Sequence, residues 1–281
     1  MTHTIPHLTA ASAALTHPVQ VLNEWGEWQD LRIPSERALT VYVDKQELIT
    51  LMTLGAHPEW LVLGYLRNQR LIESAADVLS ITVDWEVGAA AVKTRSGIAT
   101  LAQKTARRVV TTGCGQGSVF GDLMAGLEQI VLPDTRITQA ELYAIVNTIR
   151  LQDSVYKAAG SVHGCALFAQ DRQLLFVEDV GRHNAIDTIA GWLALQETAP
   201  QNCIFYTTGR LTSEMVIKSA QMGVAVLISR SGMTQMGHAV ARQLGLCAIG
   251  RATHKRFLCF SGASRLQLQP ELAGVRLSAL A

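Results

Sequence analysis

The sequence predicts an α/β protein: a core with parallel strands in its C-terminal half, preceded by a smaller sheet-rich lobe. Three observations carry this expectation. From about residue 166 onward, short apolar strands alternate with helix-length segments, the pattern of parallel strands joined by right-handed crossovers. Residues 36–94 instead place several strand-like runs around a single helical one. The composition, 48% apolar and 17% charged over 281 residues, suits a well-buried globular chain rather than a disordered one.

Taken in order, residues 1–20 contain no Lys or Arg and no sustained apolar stretch, so they fail as a signal peptide and are expected to form a disordered tail. Residues 21–135 are assigned to the sheet-rich lobe, including a cysteine loop over 107–123, and 136–281 to the α/β lobe. In the first lobe Leu39, Val41 and Val43 alternate with Thr40 and Tyr42. A turn at Asp44-Lys45 then leads to a second apolar run over 48–54. Pro58 opens a helix over 60–69, which 71–78 could extend, and 81–87 and 89–94 read as strands.

Thr138 and Glu141 have the spacing of a capping box, and start a helix over about 139–156. Two strands follow, over 166–168 and 174–177, paired through a turn at 170–172. Helices over 184–195, 213–222 and 234–244 then alternate with strands over 203–207, 224–229 and 246–249, and an edge strand is expected at 257–260.

With 24 Lys plus Arg against 23 Asp plus Glu, the net charge of +1 gives no global case for nucleic acid or for a membrane surface. No apolar run approaches the ~18 residues that span a bilayer. Five scattered cysteines without a C-x-x-C pair read as reduced thiols of a cytoplasmic protein.

In open α/β sheets, ligands collect beyond the carboxyl ends of the strands. This chain places Arg182, His183 and Asn184 at one such exit, Gly209 and Arg210 at the next, Arg230 and Ser231 at the third, and Arg251 at the fourth. One loop arginine is ordinarily solvated or paired with a carboxylate such as Asp179, Asp187 or Glu214. Four exits in succession point to a shared anionic ligand such as a pyrophosphate or nucleotide. The glycine-rich run 111–120, with Cys114 between Gly113 and Gly115, lacks the Lys-Ser/Thr of a P-loop. His163 and Cys165 are too few for zinc, so no metal site is expected. A nucleophilic thiol at Cys114 remains, whereas Cys165, Cys203, Cys247 and Cys259 read as packed cysteines.

Three segments, EDVGRHNAID (178–187), TTGRLTSEMVIKSAQMGVAVLISRS (207–231) and, more loosely, ERALTVYVDKQELITLMTL (36–54), resemble the FdhD family of sulfur-carrier accessory proteins for formate dehydrogenase. The resemblance covers about 36–260. It implies a cytidine-deaminase-like three-layer core without the deaminase zinc, in a cytoplasmic homodimer. It also implies a persulfide taken from a cysteine desulfurase and passed to the bis-molybdopterin guanine dinucleotide cofactor. The family's cofactor contacts fall here on Arg251, Ala252, Thr253, His254, Lys255 and Arg256.

The family loop reads C-G-x-C-G, whereas this chain has Gly117 where the second cysteine would stand, and SRSGMTQ in place of the usual SRSAPT. Two readings follow. Either Cys114 carries sulfur alone, or the chain binds and delivers the cofactor without transferring sulfur.

Overall fold

A computed structural model describes residues 5–97, 109–110, 117–118, 127–196 and 201–273. The chain is a mixed α/β protein that divides into two compact units, each assembled from separate stretches of sequence. The first comprises 1–129, 153–165 and 176–200, and the second 130–152, 166–175 and 201–281. This differs from a single cut near residue 135, because the segment around 153–200 crosses the division more than once. Contiguity in sequence is what a linear reading assumes, and packing does not require it.

In the first unit a five-stranded sheet runs β1-β6-β7-β4-β5. Its strands are β1 (His7–Leu8), β4 (Arg37–Val43), β5 (Gln46–Thr53), β6 (Val78–Asp84) and β7 (Ala89–Thr94). The β4–β5 hairpin turns at Asp44 and Lys45, whose φ values of 47° and 72° are the positive pair that a two-residue turn demands. Alternate residues Leu39, Val41 and Val43 are buried, as the period of two predicts. Helix α1 (Pro58–Asn68) begins with Pro58, which has no amide hydrogen to leave unpaired. Arg70, at φ 55°, turns the chain away, so 71–78 does not prolong the helix and β6 starts at Val78.

The expected disordered tail is instead partly ordered. Strand β1 pairs in parallel with β6, and β2 (Thr16–Leu22) pairs antiparallel with β3 (Trp28–Pro34). Single side chains pin this segment, which composition does not reveal. Thr9 Oγ1 and the Ala11 amide both donate to Glu59 Oε1, at 2.8 and 2.7 Å.

The second unit is built on the sheet β12-β11-β13-β14-β15-β16, taking 166–169 of β11 (His163–Ala169) and 172–175 of β12 (Arg172–Asp179). Strands β13 (Cys203–Thr207), β14 (Val226–Ser229) and β15 (Cys247–Thr253) are parallel neighbours, and β16 (Arg256–Ser261) returns antiparallel to β15. The first two parallel strands are wholly buried, so they read as continuous apolar runs. Helix α2 (Gln139–Leu151) starts on the capping box, with the Thr138 hydroxyl accepting from the Glu141 amide and Glu141 Oε2 accepting from the Thr138 amide. It stops at Leu151, and Ser154 caps a separate short helix α3 (Val155–Ala159) in the first unit. Helices α5 (Ser213–Gln221) and α6 (Gln235–Leu244) pack together, and α6 lies on β15 and β16.

The tightest packing in the first unit is between α1 and α4 (Arg182–Ala194). A Cβ at Gly64 would stand 1.7 Å from the Asp187 carbonyl oxygen, and one at Gly191 would stand 1.9 Å from that of Trp60. The two backbones touch, and only hydrogen fits between them. Gly64→Ala is therefore expected to cost about 3 kcal/mol, as overpacking of a closed interface does. Urea unfolding measures this, and an unchanged midpoint would contradict the close approach.

Candidate anion-binding site

The run Glu178 to Asn184 closes β12 and opens α4, and its side chains are turned inward. Asp179 is 3% exposed. Its Oδ2 accepts from the Thr53 hydroxyl at 2.5 Å and the Leu54 amide at 3.1 Å, and its Oδ1 from the Gly181 amide at 3.0 Å and Asn184 Nδ2 at 2.7 Å. Asn184 Nδ2 also donates to the Met52 carbonyl, at 2.7 Å. The run thus ties the end of β5 to the start of α4. Burial lifts the Asp179 carboxyl above its ordinary pKa, and the bonds from Thr53, Gly181, Asn184 and Leu54 oppose that shift without cancelling it.

Glu178, which caps α3 by accepting from the Val155 and Tyr156 amides, is lifted by burial in the same direction. Arg182, His183 and Asn184 are all at most 3% exposed. Asp187, fully buried, accepts from Asn68 Nδ2 at 2.6 Å. Glu214 pairs with Lys218 at 3.6 Å, one helical turn away and equally buried.

In the second unit two buried hydroxyls order the strand exits, and one of them, that of Ser229, joins two exits. The Thr207 Oγ1 accepts from the Gly209 amide at 3.0 Å. Ser229 Oγ donates to the Gly209 carbonyl at 2.6 Å and accepts from the Ser231 amide at 2.9 Å. The Ser231 carbonyl in turn accepts from the Arg251 amide, at 2.8 Å. Gly209, Ser231 and Arg251, from three consecutive exits, therefore sit in one hydrogen-bonded series. Buried hydroxyls at strand ends satisfy backbone groups that the ladder no longer pairs. Arg210 and Arg230 leave this series exposed.

The segment 251–256 is not a loose exit loop but the end of β15, a two-residue turn and the start of β16. Arg251 has φ 51° and His254 φ 50°, and the β15–β16 register shifts between Gly250 and Thr253. A bulge of this kind re-aims side chains. Arg251, Thr253, Lys255 and Arg256 line one cavity of about 690 Å3, together with Tyr143 and Phe257. Ala252 is 1% exposed and packs inward, and His254 lies exposed at the turn.

Two aromatic rings far apart in sequence form one wall of this cavity. Tyr143 and Phe257 meet edge to face with centroids 6.2 Å apart, and Tyr143 Oη donates to the Lys255 carbonyl at 3.1 Å. Gln139 Nε2 donates to Tyr143 Oη at 2.8 Å. Gln139 and Tyr143 share a face of α2 at i, i+4, the one sequence signal that could have placed them together. Three cations beside two aromatic rings suit an anionic ligand that carries a flat ring system.

The FdhD/NarQ family profile matches residues 34–267. The chain belongs to the FdhD/NarQ family. Among its relatives, the sulfur carrier protein FdhD of Bacillus subtilis is 28% identical over 240 residues, which cover 84% of this chain and 90% of the relative. That of Geobacillus kaustophilus is 27% identical over 237 residues, covering 83% and 89%. A crystal structure from Desulfotalea psychrophila, described as a formate dehydrogenase accessory protein, superposes with a TM-score of 0.72 at 25% identity, covering 89% of this chain and 98% of that one.

Within the family frame, Cys114 falls between β8 (Val109–Val110) and β9 (Gly117–Ser118), which pair antiparallel, and lies outside the described residues. Most of the loop assigned to 107–123 lies outside them as well. The structure thus brings Arg251, Thr253, Lys255 and Arg256 together and links Ser231 to them through a backbone bond and Gly209 through the Ser229 hydroxyl. Arg182, His183 and Asn184 belong to the other unit. Among the described residues, no group of three or more His, Cys, Asp or Glu is placed to hold a metal, and no helix is long and apolar enough to cross a membrane.

Asp179→Asn puts an amide nitrogen against hydrogen-bond donors, an expected cost of about 1–3 kcal/mol. A carboxyl with a raised folded pKa contributes stability that is fully present below its unfolded value and lost as pH rises through the folded one. Urea midpoints across the acid range are expected to fall with rising pH for the parent through this group, and the asparagine variant to lack that part of the slope.

Proposed function

We propose that this chain serves formate dehydrogenase maturation as a sulfur carrier. Cys114 takes sulfur from a cysteine desulfurase persulfide, and the hairpin 251–256 holds the bis-molybdopterin guanine dinucleotide that receives it. The observation that carries the reading is the convergence of Arg251, Lys255 and Arg256 on one cavity of about 690 Å3, in a chain whose relatives are sulfur carrier proteins. A cavity of several hundred Å3 admits a nucleotide-sized group. Guanidinium forks suit its pyrophosphate, and the ring edges of Tyr143 and Phe257 suit a purine.

The transfer steps balance. The Cys114 thiolate attacks the outer sulfur of the donor persulfide and expels the donor's thiolate, leaving Cys114–S–SH. Attack on that outer sulfur by the acceptor then returns the Cys114 thiolate. The cofactor is cargo, and the residues named here bind and orient it.

The reading includes a cytoplasmic homodimer that meets both desulfurase and dehydrogenase. Cys165, Cys203, Cys247 and Cys259 are all outside disulfides, which suits a reducing compartment. Gly117, in place of the loop's second cysteine, favours one other reading: delivery of the cofactor without sulfur transfer.

Intact mass after incubation with a cysteine desulfurase and cysteine separates the two. One added sulfur atom, mapped to Cys114 and lost in Cys114→Ala, supports the carrier. An unloaded Cys114, with Cys114→Ala still supporting dehydrogenase activity, supports delivery alone. In either case Arg251→Ala is expected to weaken GDP binding about tenfold, ~1.4 kcal/mol, by calorimetry.

A further inference from the structure

Cys247 and Cys259 lie on the adjacent antiparallel strands β15 and β16, well outside the cysteine loop. The register pairs Ile249 with Cys259 and Ala248 with Ser261, so Phe260 is the extra residue of a bulge. Residues two apart on a strand share a face, and residues directly opposed do as well. Cys247, Ile249 and Cys259 therefore share one face, with the two cysteines diagonal to each other across the strand pair. Both are free cysteines. They are not equivalent, because Cys247 is fully buried while Cys259 is half-buried and reachable from solvent. Phe257, two residues before Cys259 on β16, lines the cationic cavity.

We propose that Cys247 and Cys259 form a second sulfur-handling site, in which Cys259 accepts sulfane sulfur from a small persulfide and Cys247 resolves it as sulfide. The Cys259 thiolate attacks the outer sulfur of R–S–SH, forming Cys259–S–SH and releasing R–S⁻. Cys247 then attacks the inner sulfur of that persulfide. Its proton leaves with the hydrosulfide, giving a Cys247–Cys259 disulfide and hydrogen sulfide. The sulfane sulfur is reduced to sulfide while the two thiols are oxidised, and an added dithiol reductant reopens the pair.

The asymmetry of the pair sets the roles. Cys247 is pushed up, first by the neighbouring Cys259 and then by burial, so it keeps its proton in the resting pair; once Cys259 carries the outer sulfur its thiolate charge is gone, and Cys247 gives that proton to the departing hydrosulfide as it attacks. Cys259 is lowered to about 7, chiefly by the Cys247 thiol donating to it and also by a backbone bond at Ser261, with burial opposing. As a thiol, Cys259 donates to the Ser261 carbonyl at 3.3 Å. Among charged neighbours, the Arg265 guanidinium acts on Cys247, and His238 on α6 reaches the Phe260 carbonyl at 3.1 Å. The lowering of Cys259 rests on Cys247.

The choice of persulfide as substrate rests on the sulfur-carrier reading, and the experiment is built so that the two fail separately. The full chain carrying Cys114→Ala is reduced, treated with glutathione persulfide and read by peptide mass and by sulfide release. The expected result is stoichiometric sulfide and a Cys247–Cys259 disulfide. Adding Cys247→Ser should stop the reaction at one extra sulfur on Cys259, with no sulfide, and Cys259→Ser should give neither. Sulfide release that persists in Cys259→Ser, or the absence of sulfur on Cys259 in Cys247→Ser, overturns the proposal. The unsubstituted pair gives an independent measure, in which iodoacetamide should alkylate Cys259 ahead of Cys165 and Cys203 with a rate midpoint near pH 7. A midpoint in the ordinary thiol range, ~8.5, also overturns it.

Discussion

The buried carboxylate of Asp179 is the constraint on which the first unit's order depends. A carboxylate removed from water is costly unless its lone pairs are filled, and here donors from Thr53, Leu54, Gly181 and Asn184 fill them. Each of these groups would otherwise need another partner, so the end of β5, the end of β12 and the first turn of α4 become mutually dependent. The Asp-Val-Gly-Arg-His-Asn run, which looks like a ligand loop in sequence, is in its acidic and amide members a structural clasp. The contact of α4 with α1 through Gly64 and Gly191 follows from it, because α4 must start at the right height for two glycines to meet.

The second unit solves a different problem, namely how to hold basic side chains in place at the ends of parallel strands. Arginine has considerable rotamer entropy, so a preorganised anion site needs its backbone fixed even where its side chains are free. The series through Gly209, Ser229, Ser231 and Arg251 provides that, since each exit is bonded to the next. The bulge at Arg251 then lets one hairpin present Arg251, Lys255 and Arg256 to the same cavity. Tyr143, bonded to the Lys255 carbonyl, couples the hairpin to α2 within the same unit.

Local chemistry made much of this legible. The capping box at Thr138, the Asp44-Lys45 turn and the continuous burial of β13 each follow from a few adjacent residues and were found where expected. The arginines of the second unit could be anticipated because strand exits recur with a helix-length period. What was not legible depended on partners distant in sequence. Glu59 anchors a segment that composition assigns to disorder, and Asp187 accepts from Asn68, 119 positions earlier in sequence. Tyr143 meets Phe257 across 114 positions of sequence, and Cys247 meets Cys259 only because β16 folds back on β15 with a bulge. A cysteine in an apolar strand reads as packing until the neighbouring strand supplies a second thiol.

The substitution at Gly117 has a kinetic meaning under the proposed function. In a loop with two cysteines, the second thiol can attack the first one's persulfide and expel sulfide whether or not an acceptor is present. With glycine there, no loop thiol competes, so sulfur on Cys114 waits for an external nucleophile. Productive transfer then requires the acceptor to be bound and aligned first, because an intramolecular geometry is what makes such an attack fast. The burden of efficiency moves from the loop to the cavity, where Arg251, Lys255 and Arg256 set the occupancy of the acceptor. A carrier of this kind gains protection against wasteful sulfide loss and depends more heavily on its anion site. A site organised through the buried Ser229 hydroxyl and a backbone bond across three strand exits, rather than through exposed side chains alone, meets that demand.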